Sequence, residues 1–323
     1  MIDFRILPRH RPFLAAFLSA LFCFCSATKE AGDCFRTGDY QKARKLSLEA
    51  VQADSTDVYS WVLLGQALAA MDSVDQSIAV LQSAWKRNPG NKRISTELGS
   101  VFMLLAMRAE SRKDTAALRT SCMETIRWRP DHTPALEKLA ALDEEQGKLK
   151  AAAQWIEQLI RHAPDSDHWI TRQNHLESRI RLAQDEYETG MKLKEKQDLL
   201  NAETRFEAAL QIFKSWSECA YALHWTRGTR LYRDGKIKSL KASVESFRKA
   251  SIAKPGESDA YYWMGKAYER LDPNGFDSIL EAYRTFVSLE SGGPRFIEIS
   301  GRIRELSEKK KKWDAFWGSG RQP

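Results

Sequence analysis

Six histidines stand at positions 10, 132, 162, 168, 175 and 224. His168 and His175 are seven residues apart in a stretch free of helix breakers, so one helical face can carry both. No acidic or cysteine partner stands near them at ligand spacing, and the pattern reads as surface histidines rather than a metal site. Ser83-x-x-Lys86 and Ser246-x-x-Lys249 match the spacing of a Ser–Lys nucleophile. The companion motifs of that chemistry are missing, and a Lys-rich helical chain produces such spacings by chance. Asp143-Glu144-Glu145 offers clustered carboxylates, read most simply as a solvated helix face. No glycine-rich phosphate loop occurs, and no C-x-x-C pair for zinc or thiol exchange. The expectation is a protein without catalytic residues, cofactor or metal. An enzyme whose site is not recognisable from sequence stays as an alternative.

The elements that would position any functional group are helical. Leu, Ala, Glu, Lys, Arg and Gln dominate, and alternating β-branched runs are scarce. A fixed period organises them. Pro130 and Pro164 are 34 residues apart, as are Asp54 and Asn88, while Pro89 to Pro130 and Lys214 to Pro255 both span 41. Within the period, Trp61-Val62-Leu63-Leu64-Gly65-Gln66-Ala67-Leu68 is followed by Ala84 and Pro89. Tyr261-Tyr262-Trp263-Met264-Gly265-Lys266-Ala267-Tyr268 repeats the pattern, and Gly38-Asp39-Tyr40-Gln41-Lys42-Ala43 marks a turn into a second helix. At the eighth place of successive units stand Ala31, Gly65, Gly99, Ala140, Gly190, Gly228 and Gly265. Glycine inside a helix costs about 1 kcal/mol relative to alanine, so its recurrence at one phase implies close helix packing.

These residues resemble the tetratricopeptide repeat family, whose unit is a 34-residue helix–turn–helix. The resemblance implies an all-α fold: an α-α superhelix of about seven helix–turn–helix units with a C-terminal capping helix. The units fall near 28–55, 56–89, 90–130, 131–164, 165–214, 215–255 and 256–291, with a cap at 295–308. Three places are irregular. Seven extra residues near 108–114 would add two helical turns. Sixteen at 167–182 would form a helix continuous with the next. Seven in the sixth unit divide as four and three. Asp57 is expected to cap the second unit, and Thr133, ahead of Pro134, the fourth.

Residues 1–27 read as a secretory signal peptide. Arg5, Arg9 and Arg11 precede the apolar run Phe13–Phe24, and Cys25-Ser26-Ala27 ends in small side chains. Export to the periplasm or the extracellular space is therefore expected. Cys23 and Cys25 raise a lipid-modified variant, although a phenylalanine precedes each. The remaining cysteines, Cys34, Cys122 and Cys219, are expected to be buried and unpaired. The net charge of +7 is largely terminal: residues 1–27 hold +2 and 295–323 hold +4, leaving +1 between them. A near-neutral body argues against a nucleic-acid partner.

The family resemblance places partner binding on the concave wall built by the first helix of each unit. Its positions here include Tyr59 and Gln66, Glu137 and Glu144, Tyr187 and Lys194, and Tyr262, Lys266 and Glu269. Where some members clamp a chaperone's C-terminal carboxylate with Lys and Asn, this chain has Val62 and Gln66, a departure that argues against that role. The segment 309–323 is a basic-aromatic tail. After Lys309–Lys312, Trp313, Phe316 and Trp317 fall on one helical face, fitted either to dock a partner or an anionic membrane surface, or to fold back on the last repeats. The expected function is a scaffold for protein partners in the cell envelope. A lipid-anchored subunit of an outer-membrane assembly is the alternative.

Overall fold

The computed structural model of the chain describes residues 28–318, and side chains as far as residue 316. The leader at 1–27, with Cys23 and Cys25, lies outside the described residues, as does the side chain of Trp317. Every regular element among the described residues is a helix. α1 covers 28–36. The second helices of the pairs are α2 (Tyr40–Ala53), α4 (Val74–Arg87), α6 (Thr115–Trp128), α8 (Leu149–His162), α10 (Leu199–Ile212), α12 (Ile237–Ala253) and α14 (Phe276–Leu289). The first helices after α1 are α3 (Val58–Ala70), α5 (Lys92–Ser111), α7 (Thr133–Glu145), α9 (Asp167–Glu195), α11 (Ser217–Asp234) and α13 (Ser258–Leu271). α15 (Pro294–Gly318) closes the order. Within each unit the helices follow one another as tetratricopeptide-type helical hairpins.

The small residue at the eighth place explains itself in the packing. A Cβ on Gly65 would lie 2.7 Å from Leu81, on Gly190 2.7 Å from Phe206, and on Gly228 2.7 Å from Phe247. Each neighbour sits on the second helix of the same pair, so the two helices approach closely enough to exclude a methyl group. Gly265 is closed off by Tyr283 in the same way. Gly99 departs from the rule, because its neighbour is the aliphatic stem of Arg129 at 2.7 Å. Ala31 and Ala140 are fully buried.

The turns inside the pairs share one geometry. After α1, α3, α5, α7 and α9, the chain passes through a left-handed residue: Gly38, Asp72, Lys113, Gly147 and Gln197. The next residue donates its N–H five residues back along the first helix, as in Asp39 to Cys34 (2.9 Å), Asp114 to Ala109 (2.9 Å) and Asp198 to Leu193 (3.0 Å). The same aspartates accept from the second helix, Asp39 from Lys42 N–H and Asp114 from Ala117 N–H. One residue pair thus ends one helix and starts the next. Between pairs, Asp57 caps α3 through Tyr59 and Ser60 N–H. The fourth pair departs from the sequence reading: His132, not Thr133, caps α7, its Nδ1 accepting from Ala135 N–H at 3.2 Å.

The irregular places became longer helices. α5 has 20 residues against 13 in α3. α9 runs unbroken for 29 residues through 167–182. The sixth pair has 18 and 17 residues against 14 in α13 and in α14. α15 also runs through the boundary drawn at 308/309, so the lysine run is helical and not a linker. Residues 303–316 contain no glycine or proline to stop it.

The chain divides into two compact units: Met1–Leu142 with Gln154–Ser166, and Asp143–Ala153 with Asp167–Pro323. In the first, one core gathers Trp61, Leu64, Leu81, Ile94 and Leu98, and another Leu118, Cys122, Leu139 and Leu142. In the second, successive cores centre on Phe206, Phe247 and Tyr283. Here the α7–α8 turn reaches a distant turn. Ser215 Oγ donates to Gly147 O at 3.1 Å across 68 residues, and Lys150 Nζ lies 5.9 Å from the rings of Phe213 and Trp216. No described helix is long and apolar enough to cross a membrane.

Candidate functional site

In each unit the first helices of neighbouring pairs meet along seams where polar side chains gather. The first unit's seam joins α3 to α5. Gln66 Nε2 donates to Glu97 Oε2 at 2.7 Å, and the Arg93 guanidinium lies 4.7 Å from the Tyr59 ring centre. These residues, with Val62, Lys92 and Thr96, line an open cavity of about 430 Å³. Tyr59 remains 36% exposed. Burial raises the Glu97 pKa, and neither the Gln66 hydrogen bond nor Arg93 fully offsets that. Farther along, Glu110 accepts from Lys138 at 2.6 Å, and Glu137 is half-buried.

The second unit carries further seams. Glu144 pairs with Arg172 on α9. Between α13 and α15, Lys266 meets Glu298 at 2.6 Å and Arg302 meets Glu269 at 2.6 Å. Tyr283 Oη also donates to Glu269, at 2.6 Å. Lys266, Glu269 and Arg302, with Tyr232, Arg270 and Pro273, border a cavity of about 350 Å³. Burial opposes charge on Lys266, but Glu298 and nearby acidic groups outweigh it and its pKa is raised. The α9–α11 seam differs. Lys194 Nζ lies 4.2 Å from the Trp225 ring centre, over a cavity of about 220 Å³ shared with Met191, Leu199 and Arg233. Burial lowers the Lys194 pKa.

Two residues expected on the wall serve packing instead. Tyr262 is only 9% exposed and belongs to the core around Tyr283 and Phe286. Its ring offers a face to Arg295, 4.9 Å away, and to Lys266 at 5.5 Å. Tyr187 packs at 4.7 Å on Trp216 and 5.6 Å on Phe206. A large ring gains more by joining an adjacent apolar cluster than by facing water. The acidic triplet is likewise not a solvated face: Asp143 is 1% exposed, Glu144 is paired, and Glu145 alone is exposed.

Glu97, Glu298 and Arg302 went unnoticed in the sequence, yet a signal existed. Each complements a wall residue 31 to 33 positions earlier, about one repeat away. Trp225 keeps the same spacing, 31 residues after Lys194, whereas Arg233 falls outside it.

The other groups singled out for chemistry are occupied. Ser83 and Ser246 donate to the carbonyls of Ala79 and Ala242 on their own helices, each at 2.8 Å. Cys34, Cys122 and Cys219 are free and buried. His168 and His175 are exposed, but His224 is half-buried with its Nδ1 unpartnered among the described residues, contrary to a surface reading. No cluster of three metal-ligating side chains forms among the described residues. On the tail, Lys310 pairs with Asp277 and the Trp313 ring lies 6.2 Å from Phe276, while Trp313 is 42% and Phe316 52% exposed.

No family model matches the chain, and no curated protein matches it. Solved structures similar to it include the P58(IPK) TPR domain, with 10% identity, 90% of this chain and 99% of that chain covered, and a TM-score of 0.39. A tetratricopeptide repeat protein from Parabacteroides merdae has 12% identity, 88% and 98% coverage and a TM-score of 0.34. The TPR2AB domain of yeast Sti1, solved as a pHSP90 complex, has 13% identity, 90% and 98% coverage and a TM-score of 0.32.

Proposed function

We propose that this protein is an exported scaffold of the periplasm or cell envelope that binds protein partners along the seams of its first helices. The observation that carries the reading is the α3–α5 cavity. Its floor holds Glu97, a partly desolvated carboxylate whose one direct hydrogen bond comes from an amide, and its rim holds the exposed Tyr59 ring and Arg93. A surface that keeps an aromatic face, a guanidinium and a half-buried acid together in an open cleft suits a polypeptide of mixed character. Export rests on the reading of residues 1–27. A lipid anchor at Cys23 or Cys25 is separable by intact mass, because a diacylated cysteine and an unmodified start near Thr28 differ in mass.

The test is affinity capture from envelope extracts with the tagged protein lacking residues 1–27, beside Tyr59→Ala/Gln66→Ala. Partners held by the parent and lost by the variant support the reading. Failure of the parent to enrich any protein sinks it. For the tail, the packing of Lys310 and Trp313 on α14 predicts that removing 309–323 lowers the melting temperature. A deletion that abolishes vesicle binding with no thermal cost favours membrane docking instead.

A further inference from the structure

Several seams of first helices are zipped by acid–base pairs. Glu110 meets Lys138, Glu144 meets Arg172, Lys266 meets Glu298 and Glu269 meets Arg302. Between α9 and α11 no acid–base pair forms among the described residues. Lys194 projects there from the last turn of α9, and α11 sets the indole of Trp225 beneath it. The ammonium makes no hydrogen bond or ion pair among the described residues. Glu195 is exposed on the rim, and Asp259, close enough to act on Lys194, is engaged by Arg295 at 2.6 Å. Arg233 completes the cavity and donates only to Gln197, a neutral acceptor, at 2.7 Å.

Two cations therefore border one small cavity whose remaining walls include the apolar Met191 and Leu199. An unpaired, partly desolvated ammonium is a costly arrangement that a bound anion relieves. We propose that the α9–α11 seam is a receptor for an aspartate or glutamate side chain of a bound protein segment, held by Lys194 and Arg233 beside Trp225. This rests on the partner-binding reading above and names the chemistry the partner brings. Arg233 offers the planar fork that suits a carboxylate. The apolar lining takes the methylenes of the acidic side chain, and about 220 Å³ is room for one side chain rather than a folded element. Glu195 and Asp259 reduce the local positive potential, which favours a single negative charge over a phosphate dianion. The lowered pKa of Lys194 agrees, since it records desolvation that Asp259 and Glu195 do not outweigh.

The experiment titrates the full chain, labelled with fluorotryptophan, with a short capped oligoglutamate at low salt. The ¹⁹F resonance of Trp225, assigned through Trp225→Phe, is followed. Oligoglutamine and inorganic phosphate serve as separate probes. The expected result is a saturable shift at Trp225 with oligoglutamate alone. Lys194→Gln and Arg233→Gln should each weaken it at least roughly tenfold, the equivalent of one charge-assisted hydrogen bond, while keeping parental circular dichroism. No shift at millimolar oligoglutamate, an equal shift in Lys194→Gln, or tighter binding of phosphate overturns the proposal. Capture separates this from the broader reading. Partners retained by both the parent and Lys194→Gln leave the scaffold standing and count against the acidic anchor. A parent that captures nothing sinks the scaffold, while the Trp225 titration still decides the site.

Discussion

Replacing Gly265 with alanine and Gly99 with alanine should move stability in opposite directions, although both glycines occupy the same place in the repeat. In each case alanine restores helix propensity worth about 1 kcal/mol. What the new methyl group meets then decides the sign. At Gly265 it meets the ring of Tyr283, which is fully buried and tethered by its hydroxyl to Glu269 at 2.6 Å. Glu269 is itself held by Arg302 at 2.6 Å. The ring cannot retreat without breaking that chain of hydrogen bonds or opening the core. Overpacking of this kind costs about 1–3 kcal/mol, and the tether places this site at the upper end. The net expectation is a loss of about 1–2 kcal/mol. At Gly99 the methyl meets the Cγ and Cδ of Arg129, a half-buried and flexible stem that can swing aside. There the propensity gain survives, and Gly99→Ala should be neutral or stabilising by up to about 1 kcal/mol. Urea unfolding followed by far-ultraviolet circular dichroism reads both. Gly265→Ala as stable as the parent, or Gly99→Ala less stable than Gly265→Ala, would refute the packing argument.

Lys113 and Gln197 hold φ of 57° and 63° in turns where other pairs use glycine. Glycine at either place should raise stability by about 1 kcal/mol, measurable as a higher denaturation midpoint. Glu203 is buried at 4% between Arg227 and Arg230. Glu203→Ala should cost roughly 2 kcal/mol, below the figure for a fully buried pair because both arginines can turn to water, with urea midpoints as the check. His132 has a pKa below its ordinary value, through burial first and then Arg129. Its contribution is therefore complete above pH 6.5 and is lost as pH falls toward the folded value. His132→Asn keeps the cap of α7 and should flatten that part of the acid-side stability profile. Burial lifts the Cys122 pKa to about 11 and the Cys219 pKa to about 12, so native-state alkylation at mildly alkaline pH should be far slower than in urea.

The hairpin order, the phase of the small residues and the sites of helix lengthening were legible in the sequence because they are local. A 34-residue period and a glycine at one phase follow from how two consecutive helices must touch. Extra residues without glycine or proline have little option but to extend a helix, as at 167–182. The pairing of charges across seams was legible only in part: Gln66–Glu97, Lys266–Glu298 and Glu269–Arg302 keep a spacing of 31 to 33, whereas Glu110–Lys138 and Glu144–Arg172 stand 28 apart. It depends on the axial register of successive first helices, and the lengthened α5, α9 and α11 shift that register. The same residue type therefore meets different fates. Lys266 finds Glu298, whereas Lys194 finds Trp225. Tyr59 stays at the surface, whereas Tyr262 sinks into a core. His132 rather than Thr133 caps α7, because its side chain, not its neighbour's, reaches the Ala135 amide. The contact of Gly147 with Ser215 spans 68 residues and left no pattern in the chain. Periodicity is fixed by neighbours along the sequence, while the partner of a charged side chain is fixed by whichever distant turn the folded backbone brings within reach.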